Sequence, residues 1–273
     1  MVFYRACLVA ILLAVSLADY AFPARQSVCI TCHQPHYSGK GSCVSCHRGD
    51  DRTGRKEIAH YDLVAGRFAH YKIEGSPVAE RGKKLLERFS CRRCHRYAEK
   101  GNHLAGSLDV TGATGKVRDI YESIRVPVLF MPNFHANDAQ IADLVNAILA
   151  RAKFQKPPVG ETALIVHFQD VKNIRKNVFA GKCGKCHKIL SEQSGGLGSG
   201  YIGPNLSGLF SEFYPRTYRD AESWNPDKLK KWLENPRDIR INAMMPPVRL
   251  APEEFEQLLG IIQLDKSSPD APR

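Results

Sequence analysis

Apolar positions in this chain cluster into short helical stripes, and the stripes come in matching pairs. Ile141, Leu144, Val145 and Ile148 fall at i, i+3, i+4 and i+7, and Phe255, Leu258, Leu259 and Ile262 repeat that spacing residue for residue. A stripe of this period predicts a helix with one buried face. Asn137, with Gln140 three residues on, signals the start of the first helix. Pro252, followed by Glu253 and Glu254, suits the first turn of the second. Each helix begins seven residues beyond the Met of a Met-Pro pair, Met131-Pro132 or Met245-Pro246. Further upstream, Val117, Ile120, Tyr121 and Ile124 form one stripe. Leu229, Trp232 and Leu233 form another, bounded by Asn225-Pro226 and Asn235-Pro236. A helix is also predicted over residues 81–89, with Leu85, Leu86 and Phe89 inward. The chain is therefore mainly α, with an internal repeat whose copies begin near Pro77 and Pro158.

Each copy also holds a Cys-x-x-Cys-His motif ahead of its Met, and two more such motifs precede the repeat. The four are Cys29-Ile30-Thr31-Cys32-His33, Cys43-Val44-Ser45-Cys46-His47, Cys91-Arg92-Arg93-Cys94-His95 and Cys183-Gly184-Lys185-Cys186-His187; they take up eight of the nine cysteines. This motif is the attachment site of a c-type haem, whose vinyl groups take up the two thiols and whose iron takes up the imidazole. Zinc or disulfide pairs would not explain a His after every second Cys. Four covalently bound haem c groups are expected. The copies differ in length: His95 to Met131 is 36 residues and His187 to Met245 is 58. The Gly-rich stretch 194–203 and the Tyr/Phe-rich segment after it take up much of the excess.

Charge changes the picture little. The formal value is +11, but haem propionates would bring it to roughly +3. With no nucleic-acid motif and no aromatic-basic platform, a nucleic-acid partner is not expected. At the N-terminus, Arg5 precedes an apolar run over 6–18, and Ser16-Leu17-Ala18 fits a cleavage site before Asp19. The run is short for a membrane span. A signal peptide over 1–18 is expected, taking Cys7 with it, and an uncleaved short anchor is the alternative. The mature chain is expected to be exported to the periplasm and not to span the membrane.

Residues 77–152 and 160–265 resemble class I cytochrome c modules. The motifs are strongest in the second copy: Gly203-Pro204-Asn205-Leu206, Trp232-Leu233-Glu234-Asn235-Pro236 and Met245-Pro246. The resemblance implies two all-α haem modules and a Pro204 carbonyl that holds the ring of His187. The first copy has Ala105-Gly106-Ser107-Leu108 at that loop, without Pro-Asn. Residues 29–47 resemble the doubled motif of multihaem cytochromes, in which Cys-His-x-Pro-His recurs, here Cys32-His33-Gln34-Pro35-His36. The fold class is thus mainly α: a loop-rich, haem-wrapped dihaem segment over 19–75, modules over 76–156 and 157–265, and a flexible tail over 266–273.

An electron-transfer iron needs two axial ligands, because an empty position invites small molecules. His33, His47, His95 and His187 are the fifth ligands by motif. Met131 and Met245 are read as sixth ligands from the matching positions of the two Met-Pro pairs; Met244 competes with Met245. No Met occurs between Asp19 and Cys91, so the first two irons call for His from among His36, His60 and His70. The resemblance raises His36, as a ligand of the partner haem rather than its own, and leaves His60 or His70 for the other. His103, His135 and His167 are read as surface or core residues.

Met/His ligation raises a haem's potential and His/His ligation sits lower. The chain therefore reads as a low-potential dihaem head followed by two higher-potential modules. Arg92, Arg93, Arg96 and Lys100 around one motif, and Lys182, Lys185 and Lys188 around the other, would form a cationic edge that steers an acidic redox protein. The expected function is electron transfer between redox partners, as a carrier or as the cytochrome subunit of a membrane respiratory complex. A multihaem reductase with an open iron, or a filament-forming extracellular cytochrome, are the alternatives.

Overall fold

The computed structural model describes residues 26–152 and 177–264. The expected signal peptide, the boundary at 156/157, His167 and the tail over 266–273 lie outside the described residues. The described chain is mainly α, and it divides into two compact units at Leu63/Val64.

The first unit carries the two N-terminal motifs. A 3-10 turn over Val28–Thr31 is followed by helix α1, Cys43–His47, and α2, Lys56–Ala59. None of residues 26–63 is buried. The segment is held by backbone bonds, Val28 N–H to the Asp51 carbonyl at 3.0 Å and Asp50 N–H to the Ala59 carbonyl at 3.1 Å. At Gly49 φ is +77°, and a Cβ there would run into the Ala59 carbonyl, so this crossing of α2 over the second motif requires glycine.

The second unit begins earlier than the sequence boundary at 75/76. Val64, Phe68, Ala69 and Tyr71 are buried, and Phe68 meets Tyr121 edge to face with centroids 5.6 Å apart. The 3-10 helix Gly66–Lys72 therefore packs with the repeat. Helix α3, Pro77–Arg88, starts at a Pro suited to a first turn and runs four residues longer at its start than the apolar stripe indicates. It crosses α6, Asp138–Ala152, at Gly82, where a Cβ would collide with the Asp143 carbonyl and the Ala147 methyl. Arg81 clamps the crossing with a bidentate pair to Asp143 at 2.8 and 2.9 Å. Between them lie α4, Leu108–Thr114, and α5, Val117–Arg125.

At the start of α6, Asn137 Oδ1 accepts from Gln140 N–H at 2.9 Å, and Gln140 Oε1 accepts from Asn137 N–H at 3.0 Å. This reciprocal cap satisfies two of the helix's orphan donors. All four residues of the first stripe are buried, whereas Phe255 and Leu259 of the second are only partly covered.

The second copy runs through α7, Val178–Lys182, then α8, Pro226–Glu234, α9, Pro236–Ile239, and α10, Pro252–Ile262. Its core gathers Phe179, Ile189, Leu197, Leu229, Leu233 and Leu258. It departs from an all-α module in one respect. β1, Ile189–Ser191, pairs antiparallel with β2, Gly195–Leu197. The Gly-rich stretch supplies that hairpin: φ is +66° at Gly195 and +80° at Gly198, conformations with little cost only for glycine.

Candidate haem sites

In the first, third and fourth motifs the second Cys and the His donate their backbone N–H groups to the carbonyl of the first Cys. The distances are 3.2 and 2.9 Å at Cys29, 3.2 and 3.0 Å at Cys91, and 3.0 and 3.0 Å at Cys183. The second motif is helix α1 itself. One helical turn puts residues i, i+3 and i+4 on one side, so two thiols and an imidazole share a face.

In the third motif, His95 Nδ1 lies 2.7 Å from the Gly106 carbonyl. A carbonyl only accepts, so Nδ1 carries the proton and Nε2 keeps its lone pair for a metal. Burial lowers the pKa of His95, against the opposing pull of the Gly106 bond, and favours the neutral ring. In the fourth, His187 Nδ1 lies 2.8 Å from the Pro204 carbonyl. Gly106 thus takes in one module the place Pro204 takes in the other, although its loop lacks Pro-Asn. A Cβ on Gly203 would collide with the His187 ring, so the supporting loop can close only on glycine.

A cleft of about 170 Å³ opens beside His95. Cys91, Cys94, Met131, Phe130, Phe134 and Leu190 are among its lining residues. Met131 and the third motif are therefore brought to one cavity, and Leu190 of the second copy forms part of its wall. Stacking of Phe134 on Phe89, centroids 5.0 Å apart, backs it. Burial pushes the Cys91 thiol up to about 12 and Cys183 up to about 11, and also raises Cys94. Such thiols are poor thiolate ligands at neutral pH. Among the described residues no three His, Cys, Asp or Glu side chains group so as to hold a metal ion. The donor set suits a porphyrin iron, which asks the protein for two ligands only, and the apolar cleft suits the plate.

In the second copy Met245 packs, half-buried, on the core, while Met244 is 91 % exposed. The Trp232 indole N–H donates to Met245 Sδ at 3.1 Å, and Trp224 meets Trp232 edge to face with centroids 5.5 Å apart. Packing thus separates two methionines that are adjacent in sequence.

In the first unit the imidazoles come together in pairs. His33 and His60 have ring centroids 6.0 Å apart. His36 and His47 have centroids 5.6 Å apart and Nε2 atoms 3.4 Å apart. His70 belongs to the second unit, in the 3-10 helix over Gly66–Lys72. His135 is exposed and His103 half-buried.

The basic residues are not one open ring. Arg93 is buried, donates to the Asn205 carbonyl at 3.2 Å and lies over the Tyr214 ring. Asn205 Nδ2 donates to the Phe130 carbonyl at 2.8 Å, and Lys188 Nζ donates to the Leu129 carbonyl at 3.0 Å. These cations and this amide join the two copies rather than face a partner. Arg92 pairs with Glu87, and Lys182 lies 3.5 Å from Glu254. Lys100 and Lys185 are exposed. The Arg93–Asn205 and Asn205–Phe130 bonds span 112 and 75 residues, so no local pattern announces them. Trp232 was legible as a helix-stripe residue, but not as a donor to Met245.

A family model described as cytochrome c matches residues 175–260, and one described as cytochrome c oxidase, cbb3-type, subunit III, matches residues 77–146. A cytochrome c from Stellaria longipes is 39 % identical over 70 residues, which cover 22 % of this chain and 60 % of that protein. Together these support a c-type cytochrome. The chain thus spans less than two thirds of that relative's length. No solved structure matches. Cytochrome c domains imply covalently bound haem c, and the Cys-x-x-Cys-His cysteines agree with it. Among the described residues no helix is long and apolar enough to cross a membrane.

Proposed function

We propose that this chain is an exported, periplasmic tetrahaem c-type cytochrome that passes electrons between redox partners. The observation that carries the reading is the pair of bonds from His95 Nδ1 to Gly106 and from His187 Nδ1 to Pro204. Each fixes the tautomer and orientation of a motif imidazole, which a merely structural histidine would not require at both copies. Met131 and Met245 are the sixth ligands of these two irons. When bound, haem supplies a one-electron couple at each motif. The chain's own residues orient the ligands, exclude water and set the potential. Met/His ligation raises it in the two modules; His/His ligation keeps it lower in the N-terminal pair.

The contacts that join the two modules favour transfer between their haems over independent action. The likeness of residues 77–146 to a cbb3-type oxidase subunit favours a membrane respiratory oxidase as the assembly, with this chain as its cytochrome subunit. Lys100 and Lys185 are exposed charges of the attachment edges that an acidic partner would meet.

Mass measurement of the purified protein, with haem absorbance and a redox titration, tests the proposal. The expected result is four haems per chain and four one-electron steps, two of them low. Any other number of haems, or a metal held without porphyrin, would overturn it.

A further inference from the structure

We propose that His33 and His60 together hold one iron of the N-terminal unit, and His47 and His36 the other. The inference rests on the haem reading above and deepens it.

Residues 26–63 contain four histidines, and all four fall into these two pairs. Metal–imidazole bonds are about 2 Å long, so two rings facing across one metal have coordinating nitrogens about 4 Å apart and centroids about 6 Å apart. His33 and His60 have centroids at 6.0 Å. His36 and His47 have centroids at 5.6 Å and Nε2 atoms at 3.4 Å, a small opening short of that spacing. Two imidazoles alone make a poor site for a bare divalent cation, which takes four ligands where zinc is the metal. They make a complete one for an iron whose other four positions are pyrrole nitrogens.

The local chain explains the crossing. His36 follows His33 by three residues through Pro35, and Tyr37 takes a positive φ of 50°. The loop thus carries the second imidazole away from the first motif and against the ring of His47. His60 is the residue after α2. That helix is held by the bond from Asp50 N–H to the Ala59 carbonyl and by the Gly49 crossing, and an ion pair between Arg48 and Asp62 at 3.4 Å ties down the next turn. His60 thereby meets His33. Each iron takes one ligand from its own motif and one from elsewhere in the unit, and His36 makes the second site depend on the loop of the first. His70 is needed by neither.

The test uses the full-length, haem-loaded protein with His60→Ala, His36→Ala and His70→Ala. Mass of the haem-bearing peptides establishes attachment at Cys29/Cys32 and Cys43/Cys46. Low-temperature electron paramagnetic resonance then reads the ferric irons. His60→Ala is expected to lose one of two His/His low-spin signals and gain a high-spin one, and His36→Ala to lose the other. Added imidazole should restore each. His70→Ala should leave the spectrum unchanged. His60→Met guards against misfolding: it should stay low-spin with a His/Met signature. Two haems attached but unaltered low-spin signals in His60→Ala or His36→Ala would overturn the pairing alone. So would a high-spin iron in His70→Ala. Absence of haem at either motif would overturn the pairing and the reading beneath it.

Discussion

Replacing Trp232 with Phe removes the indole N–H that donates to Met245 Sδ at 3.1 Å and keeps an aromatic ring in the half-buried site. A typical net hydrogen bond is worth about 0.5–1.5 kcal/mol. This one draws electron density from the sulfur that would bind iron, so it disfavours the electron-poor ferric state. Its loss should therefore lower the potential of a haem held at the fourth motif. For a one-electron couple about 1.4 kcal/mol corresponds to about 59 mV, and the expected fall is roughly 20–65 mV. A spectroelectrochemical titration that resolves the haems would measure it, with the sulfur-to-iron absorption followed to show that Met245 remains bound. Trp224→Phe is the control. It removes the neighbouring indole, which donates to Thr217 Oγ1 at 2.9 Å, and should alter the melting temperature without moving the potential. An unchanged or raised potential in Trp232→Phe, with the Met–iron absorption intact, would refute the reasoning.

Three further outcomes are expected. Gly82→Val should destabilise the second unit by about 1–3 kcal/mol, because a side chain there meets the Asp143 carbonyl and Ala147; thermal unfolding followed by circular dichroism would show it, and Lys83→Ala on the exposed face should have little effect. Met245→Ala should abolish the Met–iron absorption of one haem while Met244→Ala, at a site 91 % exposed, leaves it intact. Burial raises the pKa of the Tyr214 hydroxyl, against the lowering pull of Arg93. The unfolded chain then releases that proton first, so this contribution to stability is complete below about pH 10 and declines as pH rises from there to the raised value. Denaturant unfolding across that range should show a slope of at most about 1.4 kcal/mol per pH unit from this group, and Tyr214→Phe should remove it.

The N-cap of α6 was readable because a capping box is local: Asn137 and Gln140 are one turn apart. The stripe over 141–148 was readable for the same reason, since a helix repeats its face every 3.6 residues. The start of the second unit at Val64 was not readable. Val64, Phe68 and Tyr71 carry no long periodic run, and their burial comes from packing on helices far along the chain. The hairpin at Ile189 was missed because three-residue strands leave almost no period-two signal. The basic residues near the motifs looked like a surface edge; Arg93 proved to be an internal donor because its partner, Asn205, lies 112 residues away.

The shared face of each Cys-x-x-Cys-His motif was written in the residue order. One turn of backbone puts its two thiols and its imidazole on a single face, so the spacing alone sets that arrangement. The same holds for the amphipathic helices, whose period is a property of neighbouring residues. Pairing of distant groups is another matter. That His60 meets His33, that Met245 rather than Met244 is enclosed beneath Trp232, and that Leu190 helps wall the cleft beside His95 depend on chain segments converging in space. Such convergence is set by the summed packing of many side chains, and no short stretch of sequence encodes that sum.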